Sequence, residues 1–228
     1  MKCSQQGILS YTLLNDVKAM EKIFEIYIVT NIDIISCRQI LQVIESHKRK
    51  VHLLCGGLGA CIDVIQVIDK GVGITKIHDD DYITKLLKQY GHYSSGKWIS
   101  IEGLCIAGID AKNPIQNMER ISNTLPRDCE IYLIFSTYNL TNTKCEKSKV
   151  MGREIDIGLP KDVITRFLEG VEKPLIYVSC SDLANDTCIY TLKKNMIYVA
   201  ISKYCQLTGL KINKKDAEVF IEVNEVLC

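Results

Sequence analysis

The sequence lacks any segment that would place the chain in a membrane or on a nucleic acid. No stretch approaches the roughly 20 consecutive apolar residues that span a bilayer, and residues 1–20 contain no continuous apolar core of signal-peptide length. The formal net charge is +1, so no overall electrostatic field favours a polyanion or an anionic membrane surface. We therefore expect a cytoplasmic protein with neither a nucleic-acid nor a membrane partner.

Metal-binding and disulfide signatures are missing as well. The 11 cysteines are odd in number and scattered, and no two of them have Cys-x-x-Cys spacing. The interval from Cys55 to Cys61 is too long for a zinc knuckle. Several cysteines lie within apolar runs, where a free cysteine packs as a small hydrophobic residue. We expect reduced thiols in the core, with disulfides as the alternative if the source is a hyperthermophile.

The residues that are present form the pattern of a large α/β domain. The chain has 228 residues, of which 47% are hydrophobic, and can bury a sizeable core. Short apolar runs at 26–30 and 51–55 predict buried strands, and the amphipathic segments at 37–49 and 61–68 predict helices. This alternation favours a parallel sheet with right-handed crossovers.

The rest of the chain continues this pattern and adds antiparallel strands. Glu102-Gly103 lies between two apolar runs and predicts a hairpin, and Asn113-Pro114 predicts the start of a helix. Residues 138–156 are polar and predict a long irregular loop. Further strands are predicted at 74–77, 131–135, 175–178, 188–192, 198–201 and 217–223, and further helices at 83–90 and 163–168.

Polar side chains and glycines follow several of the predicted strands. In an open α/β sheet, ligands bind beyond the carboxyl ends of the strands. We expect the strands that end at Thr30, Cys55 and Phe135 to share one sheet, which would bring the residues after them together. The positions that follow the strand ends are Asn31, Asp33, Gly57, His78, Asp79, Ser136, Cys180 and Asp182.

This series resembles the calcineurin-like metallophosphoesterases, in particular the small single-domain phosphodiesterases among them. The family's motifs are Asp-x-His, Gly-Asp, Gly-Asn-His-Asp, a lone His and Gly-His-x-His, each placed after a strand. The resemblance covers about residues 26–202 and implies an α/β fold of two packed mixed β-sheets flanked by helices. Residues 26–228 would form this single domain after an N-terminal extension, residues 1–25. Another αβ sandwich or a Rossmann-like arrangement is the alternative.

Most of the metal ligands that the resemblance implies are replaced in this chain. The Gly-Asp motif falls on Gly56-Gly57, so the carboxylate that would bridge two metal ions is missing at Gly57. The other positions of the second metal are Ile77, Ser136 and Cys180, and Lys76 adds a positive charge beside them. We therefore expect no binuclear metal centre.

Five polar residues remain as candidates at the same face. Asn31, Asp33 and Asp182 could together hold one hard cation such as Mg²⁺ or Ca²⁺ weakly. The competing interpretation is that the first two cap the following helix and that the third is a loop residue. His78 and Asp79 are the residual catalytic candidates.

Three functions remain open, and the first is favoured. It is a catalytically inactive binding or assembly module, whose partner is another protein or a second copy, and which needs no cofactor or at most one weakly bound divalent cation. The alternative is a one-metal or metal-free phosphoesterase or nuclease that uses the remaining Asp and His residues. A further alternative is a sensor of a nucleotide or phosphate ligand. A filled cleft favours the first function, whereas an open polar cleft favours a ligand.

Overall fold

The computed structural model describes residues 21–141, 143, 145, 148–150, 153–155, 158–160, 164, 171–182, 184–193, 195–215 and 218–228. The strands in this part are β1 Glu21–Val29, β2 Val51–Leu54, β3 Lys70–Gly73, β4 Trp98–Ile101, β5 Leu104–Ile109, β6 Ile131–Ser136, β7 Leu140–Thr141, β8 Ser148–Val150, β9 Arg153–Ile155, β10 Leu159–Pro160, β11 Leu175–Ser179, β12 Cys188–Lys193, β13 Met196–Ala200, β14 Leu207–Lys215 and β15 Glu218–Leu227. The helices are α1 Cys37–Ser46, α2 Asp63–Val67, α3 Asp81–Gln89 and α4 Pro114–Asn123. Within these residues no helix has the length and apolar character needed to cross a membrane.

Eleven of these strands form two large mixed sheets, and the other four form the two-stranded pairs β7–β10 and β8–β9. The first has five strands in the order β15-β14-β1-β2-β3, and the second has six in the order β12-β13-β11-β6-β5-β4. In the first sheet β1, β2 and β3 are parallel, while β14 and β15 join as antiparallel strands. In the second sheet β5, β6, β11 and β13 are parallel, and β4 and β12 are antiparallel edge strands. The antiparallel strands thus lie on one side of the parallel strands in the first sheet and on both sides of them in the second.

The hydrophobic core has three layers that follow from these sheets. Between the sheets, Ile26 and Leu53 of the first pack in one buried cluster with Leu133 and Ile176 of the second. The outer face of the first sheet is covered by α1, α2 and α3, and α4 contributes to the layer outside the second. Two mixed sheets flanked by helices were predicted, and this architecture confirms the prediction.

The first and third strands differ in position from the prediction. β1 begins at Glu21, so residues 21–25, predicted to belong to an N-terminal extension, lie in the sheet. Residues 1–20 lie outside the described part, and the division into extension and domain remains a prediction. The third strand is Lys70–Gly73 rather than 74–77, and it contains Gly71. A Cβ atom at Gly71 would lie 2.7 Å from Nδ1 of His92, so the glycine admits that ring against the strand.

Three further expectations need correction or fall outside the described residues. The sequence does not predict β14, in which glycine and lysine occupy many positions, yet it pairs with both β1 and β15. The loop predicted at 138–156 contains the short strands β7, β8 and β9. Most of the helix predicted at 163–168 lies outside the described residues, although Ile164 is helical.

The strands that end near Thr30, Cys55 and Phe135 do not share one sheet, so that prediction is wrong. β1 and β2 belong to the first sheet, and β6 belongs to the second. Their carboxyl ends nevertheless meet, because the sheets pack face to face and a Cys55–Cys180 disulfide joins the end of β2 to the end of β11. Since β11 is the parallel neighbour of β6, all of these ends lie on one rim of the sandwich.

The expectation of reduced thiols is wrong for this structure. It contains five disulfides, Cys37–Cys61, Cys55–Cys180, Cys105–Cys129, Cys145–Cys188 and Cys205–Cys228. The sequence separation within a pair ranges from 23 to 125 residues, so each pairing is created by the tertiary fold and cannot be read from spacing. A cross-link mainly limits the conformations of the unfolded chain and typically stabilises the fold by about 2–4 kcal/mol.

Alkylation should reveal these cross-links. Protein denatured without reductant and treated with iodoacetamide should carry at most one label, because ten of the 11 cysteines are paired and only Cys3 lies outside the described residues. After reduction, mass spectrometry should find every cysteine labelled. Several labels on unreduced protein would contradict the pairing.

Candidate functional site

Side chains from both sheets converge at the carboxyl rim of the sandwich. Asn31 follows β1, Lys76 follows β3 by three residues, and Asp182 follows β11 by three residues. Asn31 has a φ of 51°, a left-handed conformation that asparagine tolerates better than most residues. Its backbone nitrogen donates to the carbonyl of Gly56 at 3.2 Å, which connects the turn after β1 to the turn after β2. We call Asn31, Lys76 and Asp182 the rim triad.

The centre of the rim triad is the ammonium group of Lys76. Its Nζ donates to Oδ1 of Asn31 at 2.7 Å and forms an ion pair with Oδ1 of Asp182. Asn31 and Asp182 also contact each other directly, because Nδ2 of Asn31 donates to the same Asp182 oxygen at 2.8 Å. The Lys76 side chain is only 6% exposed, whereas that of Asp182 is 54% exposed. A buried cation therefore sits behind a partly solvated carboxylate.

The environment shifts the pKa values of both charged groups. Burial lowers the pKa of Lys76, and the hydrogen bond and charge of Asp182 oppose that shift. For Asp182, burial alone would raise the pKa, but the hydrogen bond and charge of Lys76, then Asn31 and His78, outweigh it and lower the pKa. The ion pair thus keeps the carboxylate ionised and compensates the buried ammonium.

The turn after β2 leaves no room for a side chain at the predicted bridging position. Gly57 has a φ of 68°, and a Cβ atom there would lie 2.6 Å from Oδ1 of Asn31 and 2.9 Å from its Cα. Gly56 is equally confined, since a Cβ atom would lie 2.7 Å from the backbone nitrogen of Lys76. Backbone atoms cannot move aside as a flexible side chain can, so a carboxylate at Gly57 is incompatible with this arrangement.

Asp79, a predicted catalytic candidate, is engaged with backbone groups. Its two oxygens accept from the nitrogen of Gly57 at 3.0 and 3.1 Å, and Oδ2 also accepts from the nitrogen of Lys76 at 2.7 Å. This carboxylate therefore holds together the turns after β2 and β3. Its neighbours His78 and Ile77 are exposed, and Ile77 offers no ligand atom.

Asp33 does not join Asn31 and Asp182, although the sequence groups the three as cation ligands. Its Oδ1 accepts from the nitrogen of Ser36 at 2.7 Å, and its Oδ2 accepts from Nε2 of Gln206 at 2.7 Å. The Ser36 backbone hydrogen bond, followed by Gln206, lowers the pKa of Asp33. These bonds hold the turn that precedes α1, whose N-cap residue is Ser36 rather than Asp33, while Asn31 bonds across the rim instead.

The remaining positions that the resemblance assigns to a second metal offer no free ligand atom. Ser136 is fully buried, and its Oγ accepts from the nitrogen of Tyr138 at 3.0 Å. Cys180 is 2% exposed and bonded to Cys55, so it offers no thiolate. Within the described residues, the grouped candidate ligands are Cys205, Glu225 and Cys228, and the two cysteines are paired with each other.

These residues do not fit the binuclear metal centre that the family resemblance implies. A bridging oxygen is missing at Gly57, one flanking position is a disulfide sulfur, and the ammonium of Lys76 binds the oxygens of Asn31 and Asp182. A second positive ion at those oxygens would face direct charge repulsion. The sequence places Lys76 beside the site, but it does not reveal that this side chain turns inward to occupy the centre.

We predict that Asp182→Asn lowers the free energy of unfolding by about 1–2 kcal/mol at neutral pH. A hydrogen bond to a charged group contributes roughly 1.5–3 kcal/mol, and the exposure of Asp182 screens part of it. Because the folded-state pKa of Asp182 lies below its usual 3.8, this stabilisation is complete above 3.8 and is lost as the pH falls through the folded-state value.

Urea denaturation at neutral pH and at pH values below 3.8 measures the effect. The matched control is Asp186→Asn, which changes an exposed carboxylate four residues further on. An equal loss in both variants, or a loss for Asp182→Asn that does not shrink in acid, would contradict the ion pair's contribution.

Comparisons with known proteins give matches in structure alone. No protein-family model matches the chain, and no curated protein matches its sequence. The structure is similar to that of a 5′-nucleotidase from Candida albicans SC5314, with 9% identity and a TM-score of 0.49, over 82% of this chain and 46% of that one. This chain therefore spans less than half of that protein.

A second similar structure is a metallophosphoesterase from Sphaerobacter thermophilus. The identity is 8% and the TM-score 0.37, over 90% of this chain and 88% of that one. Both similarities concern the fold of the chain and not its function. The architecture implied by the sequence resemblance, two packed mixed sheets flanked by helices, is confirmed by the sheets and helices of this structure.

Proposed function

We propose that this chain is a phosphoesterase-like domain without phosphoesterase activity, used as a binding or assembly module. The observation that carries the proposal is the rim triad, in which the buried Lys76 ammonium takes the oxygens of Asn31 and Asp182. The partner would be another protein or a second copy of the chain. In this proposal the protein needs no cofactor, or at most one weakly held divalent cation. The five disulfides agree with the expected cytoplasmic location only for a hyperthermophilic source, because the cytoplasm of other organisms keeps thiols reduced.

An ammonium group supplies charge but not the chemistry of a metal ion. In two-metal hydrolysis, ions about 3.5–4 Å apart lower the pKa of a bound water and stabilise the attacking and leaving oxygens. Lys76 can balance one negative charge, yet it has no coordination position at which water would lose its proton. Each tenfold loss of rate corresponds to about 1.4 kcal/mol of barrier. Loss of the activated water therefore argues against hydrolysis at the rim.

The alternative of a one-metal or metal-free phosphoesterase is supported less well. Of its residues, Asp33 is bound by Ser36 and Gln206, and Asp79 is bound by backbone nitrogens. Asp182 is paired with Lys76 through Oδ1, and His78 is exposed. A phosphate sensor at the rim would likewise need a cation that is not already neutralised.

Exposed apolar side chains at the same rim favour the assembly role. Ile34 is 78% exposed and Ile35 is 88% exposed in the turn that follows Asp33. Ile77 and Tyr204 are also largely exposed, on the loops after β3 and β13. The hydrogen bonds between Asp33 and Gln206 bring the first and last of these loops together. Large exposed apolar side chains grouped on one face are typical of interaction surfaces.

We predict no hydrolysis of bis-p-nitrophenyl phosphate or p-nitrophenyl phosphate above a buffer control with Mn²⁺, Ni²⁺, Co²⁺ or Mg²⁺ present. Release of p-nitrophenol, followed by absorbance, is the measurement. The control is the Asp33→Ala, Asp182→Ala double variant. If the wild type turns over either substrate and this variant does not, the one-metal alternative replaces our proposal.

We predict that the protein self-associates through the isoleucines at the rim. The wild-type sedimentation coefficient should rise with concentration, and the Ile34→Ser, Ile35→Ser double variant should sediment as a monomer. Ile23→Ser is the matched control, because Ile23 is half-exposed but lies near the amino end of β1. A wild type that stays monomeric, or an equal effect of Ile23→Ser, would contradict self-assembly through this face.

A further inference from the structure

A polar cavity of about 410 Å³ shares no residue with the rim triad. It lies between the end of α3, the end of β5 and the start of α4, and no aliphatic side chain lines it. Small-molecule sites typically occupy roughly 300–1,000 Å³. The volume therefore suits a small metabolite, and the lining indicates a polar or charged one.

The floor of the cavity is the buried carboxylate of Asp110, directly after β5. Its Oδ2 accepts from the hydroxyls of Tyr93 and Ser95 at 2.9 and 2.5 Å. Its Oδ1 accepts from Nδ2 of Asn117 at 3.0 Å and from the nitrogens of Lys112 and Asn113 at 3.1 and 3.2 Å. Burial alone would raise the pKa of Asp110, but these hydrogen bonds lower it.

Five donors use the acceptor capacity of this carboxylate, so it is a fixed part of the wall. The segment that supplies two of them connects the two sheets, because Tyr93 bridges to Gly73 in β3 and Ser95 bridges to Gly108 in β5. A Cβ atom at Gly108 would lie 2.2 Å from Cγ2 of Ile74, so only glycine admits this close approach. The floor of the cavity is thus held by the junction of the sheets.

Three cationic side chains surround the opening. Lys88 lies in the last turn of α3, Lys97 lies just before β4, and Arg120 lies on α4. All three are exposed, and within the described part of the chain none forms an ion pair. Among the lining residues, Asp110 is the one carboxylate. Three positive charges against one saturated negative charge leave the cavity with an excess of two.

We propose that this cavity binds a small molecule that carries a phosphate monoester group. Such a group has a charge of about −1.5 to −2 at neutral pH, which matches the excess of positive charge. The planar fork of Arg120 can hold two phosphate oxygens at once, and Lys88 and Lys97 can neutralise the rest. The volume exceeds that of one phosphate group, so the remainder would hold the organic part beside the side-chain amides of Asn113 and Gln116.

Isothermal titration calorimetry of the full chain at low ionic strength tests this assignment. Ribose 5-phosphate should bind saturably, ribose should not bind, and inorganic phosphate should bind more weakly than the ester. Arg120→Ala and Lys88→Ala should each weaken ribose 5-phosphate binding about tenfold or more, because a hydrogen bond to a charged group is removed. Arg120→Lys, which keeps the charge but loses the fork, should fall between the wild type and Arg120→Ala.

The matched control is Lys85→Ala, on the exposed surface of the same helix but outside the cavity. It should leave the affinity within about twofold of the wild type. Equal weakening by Lys85→Ala would show that surface charge alone attracts the anion and would overturn the proposal. Equal affinity for inorganic phosphate and the ester would overturn the assignment of an ester, and absence of saturable binding by both would overturn the site. The test does not depend on whether the rim is catalytic.

Discussion

The structure of the rim depends on the compensation of one buried positive charge. The Lys76 ammonium is almost removed from water, and an uncompensated charge in that place would cost several kcal/mol. Its partners come from different elements, Asn31 after β1 in the first sheet and Asp182 after β11 in the second. The ion pair therefore couples the loops of both sheets, and the carboxylate of Asp79 and the Cys55–Cys180 disulfide hold the same region from either side. Removing the cation would leave the turns after β1 and β11 without their common partner.

The proposed non-catalytic role follows from what supplies the positive charge. A metal ion has positions for solvent and can change the pKa of a bound water, whereas an ammonium group only donates hydrogen bonds. Two further residues argue against a metal site: Gly57 has no space for a side chain, and Cys180 is cross-linked to Cys55. The cationic cavity around Asp110 has the opposite character, since its carboxylate is saturated and its cations remain available to an anion. Within the described residues, the rim triad is therefore a structural charge pair, whereas the cavity around Asp110 is an open polar site.

The sequence predicted the fold better than it predicted the site. Buried runs, helix-spaced apolar positions and the Glu102-Gly103 turn each have a local physical cause, and strands and helices formed at most of them. The third strand was misplaced because Gly71 and Gly73 weaken the strand pattern of residues 70–73, although here they admit His92 and Leu87 against the sheet. β14 was missed because its lysines and glycine weaken the strand pattern, and its pairing with β1 is a long-range contact. The five disulfides could not be predicted, because 11 scattered cysteines are compatible with many pairings.

The sequence by itself determined which chemical groups stand after each strand, and hence that the bridging carboxylate and the histidine ligands of the resembling family are missing. Only the tertiary structure decided what those groups do. It turned Lys76 inward onto Asn31 and Asp182, and it directed Asp33 to Ser36 and Gln206 instead. It also gathered Lys88, Lys97 and Arg120 around Asp110, although these residues are spread over more than 30 positions of the chain. The physical reason is that strand ends distant in sequence become neighbours only after both sheets have packed, and the direction of a polar side chain is then set by its available partners.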